Sequence, residues 1–304
     1  MELKFLFFML IIILVLIIYF YIKRGIDTVE GFEDKFDSFE NYEEIYDKEF
    51  THFYEIIYRN FIYIDYDFDI VYKKTINDNF DVNFMVAGSG VGKLCKKIKD
   101  KDIKVIGVDI SESMLKMSQF MYPNIKFVRA NLMKQSIFER NSFSHIFIDD
   151  KTLYYNEVDD MKKIIFNIYG WLKDDGYLIM QIYNPKKLRL VPRYYSSNYI
   201  DDKGNTHGFT YLNDFSHDCY VLEDEKEKGI YNYYDKIVFE DGKKRIKKTR
   251  YYMPSMEDMY DMVMNTRFEL IYKDQERPKN VSGYELAIFK KKSEKMTVDE
   301  LEKK

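Results

Sequence analysis

Cysteine is almost absent: Cys95 and Cys219 are the only two in 304 residues. Two thiols are too few for a disulfide framework, which fits a reducing compartment. Histidine is equally scarce, at four residues. No spacing of Cys, His, Asp or Glu reads as a metal site. Neither sign of charge dominates, since 47 basic and 51 acidic side chains leave −4 at pH 7. Global charge therefore gives no case for nucleic-acid binding. Glycine is sparse at thirteen residues, yet three of them, Gly88, Gly90 and Gly92, fall within five positions. Aromatic residues are plentiful at 17%, and Ile, Lys, Asn and Tyr are abundant. That bias suits an AT-rich genome such as that of a giant DNA virus.

The longest uncharged run is Phe5–Ile22, eighteen residues. As a helix it would span about 27 Å, close to the hydrocarbon core of a bilayer. Tyr19-Phe20-Tyr21 and then Lys23 and Arg24 follow as an aromatic and basic belt. A cleaved signal peptide has a shorter apolar stretch and a small-residue cleavage site, and this segment has neither. Residues 1–24 are thus expected to be a single-pass membrane anchor. The basic flank at Lys23 and Arg24 slightly favours the cytoplasmic side for the following domain, which is the expected orientation. Residues 25–50 carry ten acids and two lysines. Their first part, 25–38, reads as a linker that an anionic leaflet would repel.

The glycine cluster has a context. Phe84-Met85-Val86-Ala87 leads into Gly88-Ser89-Gly90-Val91-Gly92, and Val105-Ile106-Gly107-Val108 leads into Asp109. Glycine permits positive φ and lets a ligand approach the main chain. An acid ending the next strand suits a pair of ribose hydroxyls. The unit reads as a nucleoside-cofactor site in a doubly wound α/β sheet. The dinucleotide fingerprint G-x-G-x-x-G would need glycine at position 93, where Lys93 stands.

The G-x-G-x-G turn resembles motif I of class I S-adenosylmethionine (SAM) methyltransferases, and further motifs follow in order. Asp109-Ile110-Ser111-Glu112-Ser113-Met114-Leu115 is similar to the family's "D-h-S-x-x-M-L" after strand two. Lys126–Leu132 resembles the end of strand three, where Asn131, with Leu132 beside it, holds the place of an adenine-reading Asp. Trp171–Leu178 resembles the turn into strand five. The likeness covers roughly residues 40–292. It implies a Rossmann-like α/β fold, a mostly parallel sheet whose last strand is antiparallel, with SAM as cofactor. Cofactor contacts are then expected at Gly88, Ser89, Gly90, Gly92, Asp109, Ile110, Met114, Asn131 and Leu132. One departure matters: Val86 stands where the family has an acid that helps hold the methionine ammonium group.

Aromatic or apolar residues recur every three to four positions from Phe39 to Phe61, the pattern of an amphipathic helix. A helix of this kind lies over the SAM cleft in the family, which makes Tyr46 a candidate cofactor contact through cation–π attraction. The domain is expected to span 39–292, with a charged tail at 293–304. Within it, residues 184–252 form an insertion after strand five, expected to act as a substrate lid. The insertion contains a hairpin signal, Tyr231–Phe239 and Lys243–Tyr252 around Asp241-Gly242. Lys243–Arg250 holds six cations in eight residues, which read best as an exposed strand with a charge-protected edge.

Methyl transfer needs a base only when the acceptor must lose a proton. Asp149 and Asp150, after strand four, are the preferred candidates, ahead of Tyr154, Tyr155, His207 and His217. The Asn-Pro-Pro-Tyr motif of amino-methylating nucleic-acid enzymes is missing, so a small-molecule or lipid-like acceptor is expected. Two alternatives remain: a SAM-binding module that works through a partner, and a nucleotide-dependent oxidoreductase.

Overall fold

The computed structural model describes residues 37–39, 46–48, 51, 54, 62–76, 81–185, 196–200, 206–212, 215–274 and 283–292. The chain divides into two units, 1–37 and 38–304, and the second is described here with Asp37 at its border. The expected anchor Phe5–Ile22 and the tail 293–304 lie outside the described residues. Among the described residues, no helix is long and apolar enough to cross a membrane.

A short strand β1 (Asp37–Phe39) comes first, then α1 (Ile62–Thr75). The chain next alternates strands and helices: β2 (Asn83–Ala87), α2 (Lys93–Lys99), β3 (Lys104–Asp109), α3 (Glu112–Met121) and β4 (Lys126–Arg129). It continues with β5 (Phe143–Ile148), α4 (Val158–Trp171) and β6 (Leu172–Tyr183). Such alternation builds a parallel sheet with both faces covered. That is why β2 is an unbroken apolar run: Met85 and Ala87 pack into one core, Phe84 and Val86 into the other.

Five lid strands follow: β7 (Ser196–Ile200), β8 (Thr206–Leu212), β9 (Phe215–Glu223), β10 (Ile230–Phe239) and β11 (Lys244–Tyr252). The chain then returns through α5 (Met256–Met264), β12 (Phe268–Lys273) and β13 (Tyr284–Lys291). Ser255 caps α5 by accepting a hydrogen bond from the Asp258 N–H at 3.1 Å.

The main sheet has the order β12-β13-β6-β5-β2-β3-β4. Strands β2 to β6 are parallel, and β13 runs antiparallel between β6 and β12. This is the Rossmann-like sheet expected from the sequence. Its strand order reverses at β2, flanked by β3 on one side and β5 on the other, so a crevice opens beyond their carboxyl ends.

The second sheet is a six-stranded layer of order β1-β11-β10-β9-β8-β7. Its pleat corrects one expectation. The basic run does not lie wholly exposed: Lys244 and Arg250 face solvent, whereas Arg245 and Lys247 are buried. Alternate residues of a strand face opposite ways, so two of the six cations turn inward. Arg245 Nη2 and Lys247 Nζ donate to Asp47 Oδ2 at 2.9 and 3.1 Å. The helix expected from Phe39 also begins later. Phe39 ends β1, and helical residues are seen at Lys48, Thr51 and Tyr54, the remainder of 40–61 lying largely outside the described residues.

Candidate functional site

The turn after β2 is held by its neighbours. The Gly88 and Ser89 N–H groups donate to the Val108 carbonyl at 2.8 and 3.0 Å, and the Gly90 N–H donates to Asp109 Oδ2 at 2.9 Å. Asp109 Oδ1 accepts from the Ser111 N–H at 2.9 Å. One carboxylate thus pins the glycine turn and the entry to α3 together. Burial pushes the Asp109 carboxyl up to about 6, against the opposing pull of its backbone donors.

Gly90 has φ +51°, and a Cβ built there would meet nothing within 4 Å. That face opens onto a cleft lined by Gly88, Ser89, Met114, Asp149, Lys151 and Tyr46. A second cleft runs from Gly88 past Asp109, Ile110, Asn131 and Leu132. Thr152 and Tyr155, on the short turn after β5, line both clefts and sit between them. Nine of the ten residues expected to touch a cofactor therefore line one of these two clefts. The exception is Gly92. It has φ +85° at the start of α2, and its space is filled by the Phe127 ring, 2.7 Å from a built Cβ. Its glycine is required for backbone conformation and packing, not for an open ligand face.

Asn131 uses its carbonyl oxygen locally, accepting from the Met133 N–H at 2.9 Å. Tyr46 lies edge-on to Tyr54, and its hydroxyl meets that of Tyr155 at 2.5 Å. Tyr155 in turn reaches the Tyr251 hydroxyl on β11 at 3.2 Å. Three phenols thus link the N-terminal segment, the post-β5 turn and the lid above the clefts. The Ser111 hydroxyl adds a bond to the Tyr46 carbonyl at 2.8 Å. Sequence reasoning missed Lys151 and Thr152, which the folded turn after β5 brings to the clefts, and Tyr251, which meets Tyr155 from the lid.

The candidate bases separate. Asp150, in the left-handed region at φ +47°, is engaged by Lys151 Nζ at 2.9 Å and by the Tyr183 hydroxyl. Tyr154 is buried, accepts from the Tyr183 N–H at 3.0 Å, and its phenol is pushed well above its usual range by burial. His217 is buried in the lid against Asp235. The side chain of His207 lies outside the described residues. Asp149 donates its N–H to the Ala87 carbonyl at 2.9 Å, while its Oδ1 is buried with no hydrogen-bond partner. Burial, then Asp150 and Asp67, push the Asp149 carboxyl well up.

These features fit a nucleoside cofactor with an amino-acid tail. A bare glycine backbone faces open space, an acid stands at each end of the turn, and one carboxylate oxygen is unpaired. Among the described residues, no group of three or more His, Cys, Asp or Glu side chains could hold a metal ion.

Comparison with known proteins agrees. Residues 85–176 match the profile of a methyltransferase domain family. A protein of Geobacillus sp. (strain WCH70), named as a methyltransferase, is 29% identical over 105 residues, 33% of this chain and 42% of its own length. The chain thus spans less than half of that relative. A SAM-dependent methyltransferase from Clostridium acetobutylicum ATCC 824 has the same fold, with a TM-score of 0.61 at 17% identity over 81% of this chain and 98% of its own. The CcbJ methyltransferase of Streptomyces caelestis gives 0.58 at 18% identity, over 74% and 96%. CalS10, a SAM-bound amino pentose methyltransferase of Micromonospora echinaspora, gives 0.56 at 12% identity, over 75% and 90%. Residues 85–176 thus match a methyltransferase domain, and the sheet that carries them has the fold of SAM-dependent methyltransferases.

Proposed function

We propose that the whole chain is an active SAM-dependent methyltransferase, held at a membrane by Phe5–Ile22, that methylates a small-molecule or lipid-like acceptor on the cytosolic side. The observation that carries this is the Gly88–Gly90 turn, pinned by Asp109 and open to a cleft at Gly90. Asp109 would hold the ribose hydroxyls, and Ile110, Asn131 and Leu132 would surround the base. SAM, when bound, supplies an electrophilic methyl group. The chain's own residues then align the acceptor and exclude water.

Support for a compact acceptor comes from the lid. Its Tyr251 hydroxyl meets that of Tyr155, a residue that lines the cleft at the glycine turn, so the lid reaches to the edge of the site. Amino pentose is the acceptor class in the name of CalS10, and KedS8 of the same fold is a sugar N-methyltransferase. The inward turn of Arg245 and Lys247 takes two cations away from any surface for nucleic acid. The anchor rests on the eighteen uncharged residues alone.

A SAM-binding module without turnover is a second reading, favoured by Val86, a fully buried apolar residue where the family has an acid. Labelled-methyl transfer from SAM to a panel of amino sugars, phenols and lipid amines separates the two. Turnover on any of them supports the enzyme. SAM binding without turnover on the whole panel supports the module.

A further inference from the structure

Val86 on β2 is apolar and packed in the core, so it offers nothing to a cation. Strand β5 is the parallel neighbour of β2, with Ala87 opposite Ile148, and the residue just past the end of β5 is Asp149. The Asp149 N–H bonds the Ala87 carbonyl at 2.9 Å, which holds Asp149 directly beside the start of the glycine turn. It lines the same cleft as Gly88, Ser89 and Gly90.

A buried carboxylate oxygen without a donor is costly, and folds keep one only where something else supplies the partner. Asp149 Oδ1 is such an atom. The charged groups around it offer little relief. Asp150 and Asp67 repel it, and the attraction of Lys151 ranks behind both. Lys151 is drawn toward Asp150, at 2.9 Å, and lies over the Tyr183 ring. A positively charged N–H donor arriving in the cleft at Gly88–Gly90 would satisfy the oxygen.

We propose that Asp149 is the receptor for the α-ammonium group of the cofactor's methionine tail, taking over just past the end of β5 the task that an acid at position 86 would perform on β2. The proposal rests on the methyltransferase reading above. It assigns Asp149 to cofactor binding and away from the role of acceptor base.

Titration calorimetry of the full-length chain tests this, using S-adenosylhomocysteine (SAH), the demethylated product, and its analogue lacking the amino group. The wild-type chain should prefer SAH by about 10- to 100-fold, the range of one charge-assisted hydrogen bond. In Asp149→Asn that preference should collapse, through weaker SAH binding and little change for the deaminated analogue. An unchanged preference in a folded Asp149→Asn chain overturns the proposal. Where Asp149→Asn fails to fold, the wild-type ratio decides, because a ratio near one overturns the proposal by itself. A wild-type chain that binds neither ligand overturns the methyltransferase reading and this proposal with it. SAH binding without selectivity overturns the proposal alone.

Discussion

Replacing Asp109 with alanine separates what this carboxylate does for the fold from what it would do for a ligand. In the folded chain it accepts from the Gly90 and Ser111 N–H groups at 2.9 Å each. Deleting it leaves two backbone donors short of a partner, at about 1–3 kcal/mol each where water cannot replace it. Against this stands the cost of burying the charge. A shift from 3.8 to about 6 amounts to about 3 kcal/mol at 1.36 kcal/mol per unit, a cost the alanine variant no longer bears. The two effects are of similar size and opposite sign. Asp109→Ala should therefore fold, with stability changed by no more than about 3 kcal/mol, several degrees in Tm.

Cofactor binding has no such compensation. Two charge-assisted hydrogen bonds to ribose are worth about 1.5–3 kcal/mol each, so SAH affinity should fall by about 10²- to 10⁴-fold. Thermal denaturation and titration calorimetry on the same sample read both numbers. A folded Asp109→Ala chain whose SAH dissociation constant stays within about threefold of wild type would refute the reasoning.

The same carboxyl sets a pH dependence. Because its folded pKa lies above the unfolded value, its contribution to stability is full below 3.8 and lost as the pH rises through about 6. SAH binding runs the other way: affinity should drop about tenfold between pH 7 and 5 as the carboxylate protonates, and Asp109→Ala should lack that step. Gly90→Val should lose SAH binding by filling the open face and should also lose some stability, since a β-branched residue fits φ +51° poorly. Normal SAH affinity in that variant would mean the open face is not where the ligand lies. The full-length chain should resist alkaline carbonate extraction from membranes, with the C-terminal domain open to protease on the cytosolic face. Extraction by carbonate would remove the anchor, and protection of the domain, or glycosylation at the Asn280-Val281-Ser282 acceptor sequence, would reverse the orientation.

The parallel sheet was legible because buried strands must be apolar throughout, as in Phe84–Ala87, and helices between them must be amphipathic. The β10–β11 hairpin was legible from its Gly242 turn. Strands β7 and β8 were not, since Ser196–Ile200 and Thr206–Leu212 mix tyrosine with polar residues and lack a clean alternation. Phe39 pointed to a helix by its spacing, but β1 takes an edge of the lid sheet, a pairing between residues some two hundred positions apart. Clustered cations signalled a surface, while the pleat of β11 sends Arg245 and Lys247 inward to Asp47. At the site, the glycine turn and Asp109 were visible as a motif. Gly92 looked equivalent to Gly90 in sequence, and only packing against Phe127 tells them apart. Thr152 reaches the clefts through the turn after β5, and Tyr251 meets Tyr155 through the folded lid, which no local spacing encodes.

The most direct test of the central claim is a titration of the full-length chain, in detergent micelles, with SAM, SAH and NAD in parallel. The account predicts one saturable site for SAM and SAH in the micromolar range, mutually competitive, and no heat of binding with NAD. Saturable binding of NAD with none for SAM or SAH would contradict it and make the Gly88–Gly92 turn part of a dinucleotide site.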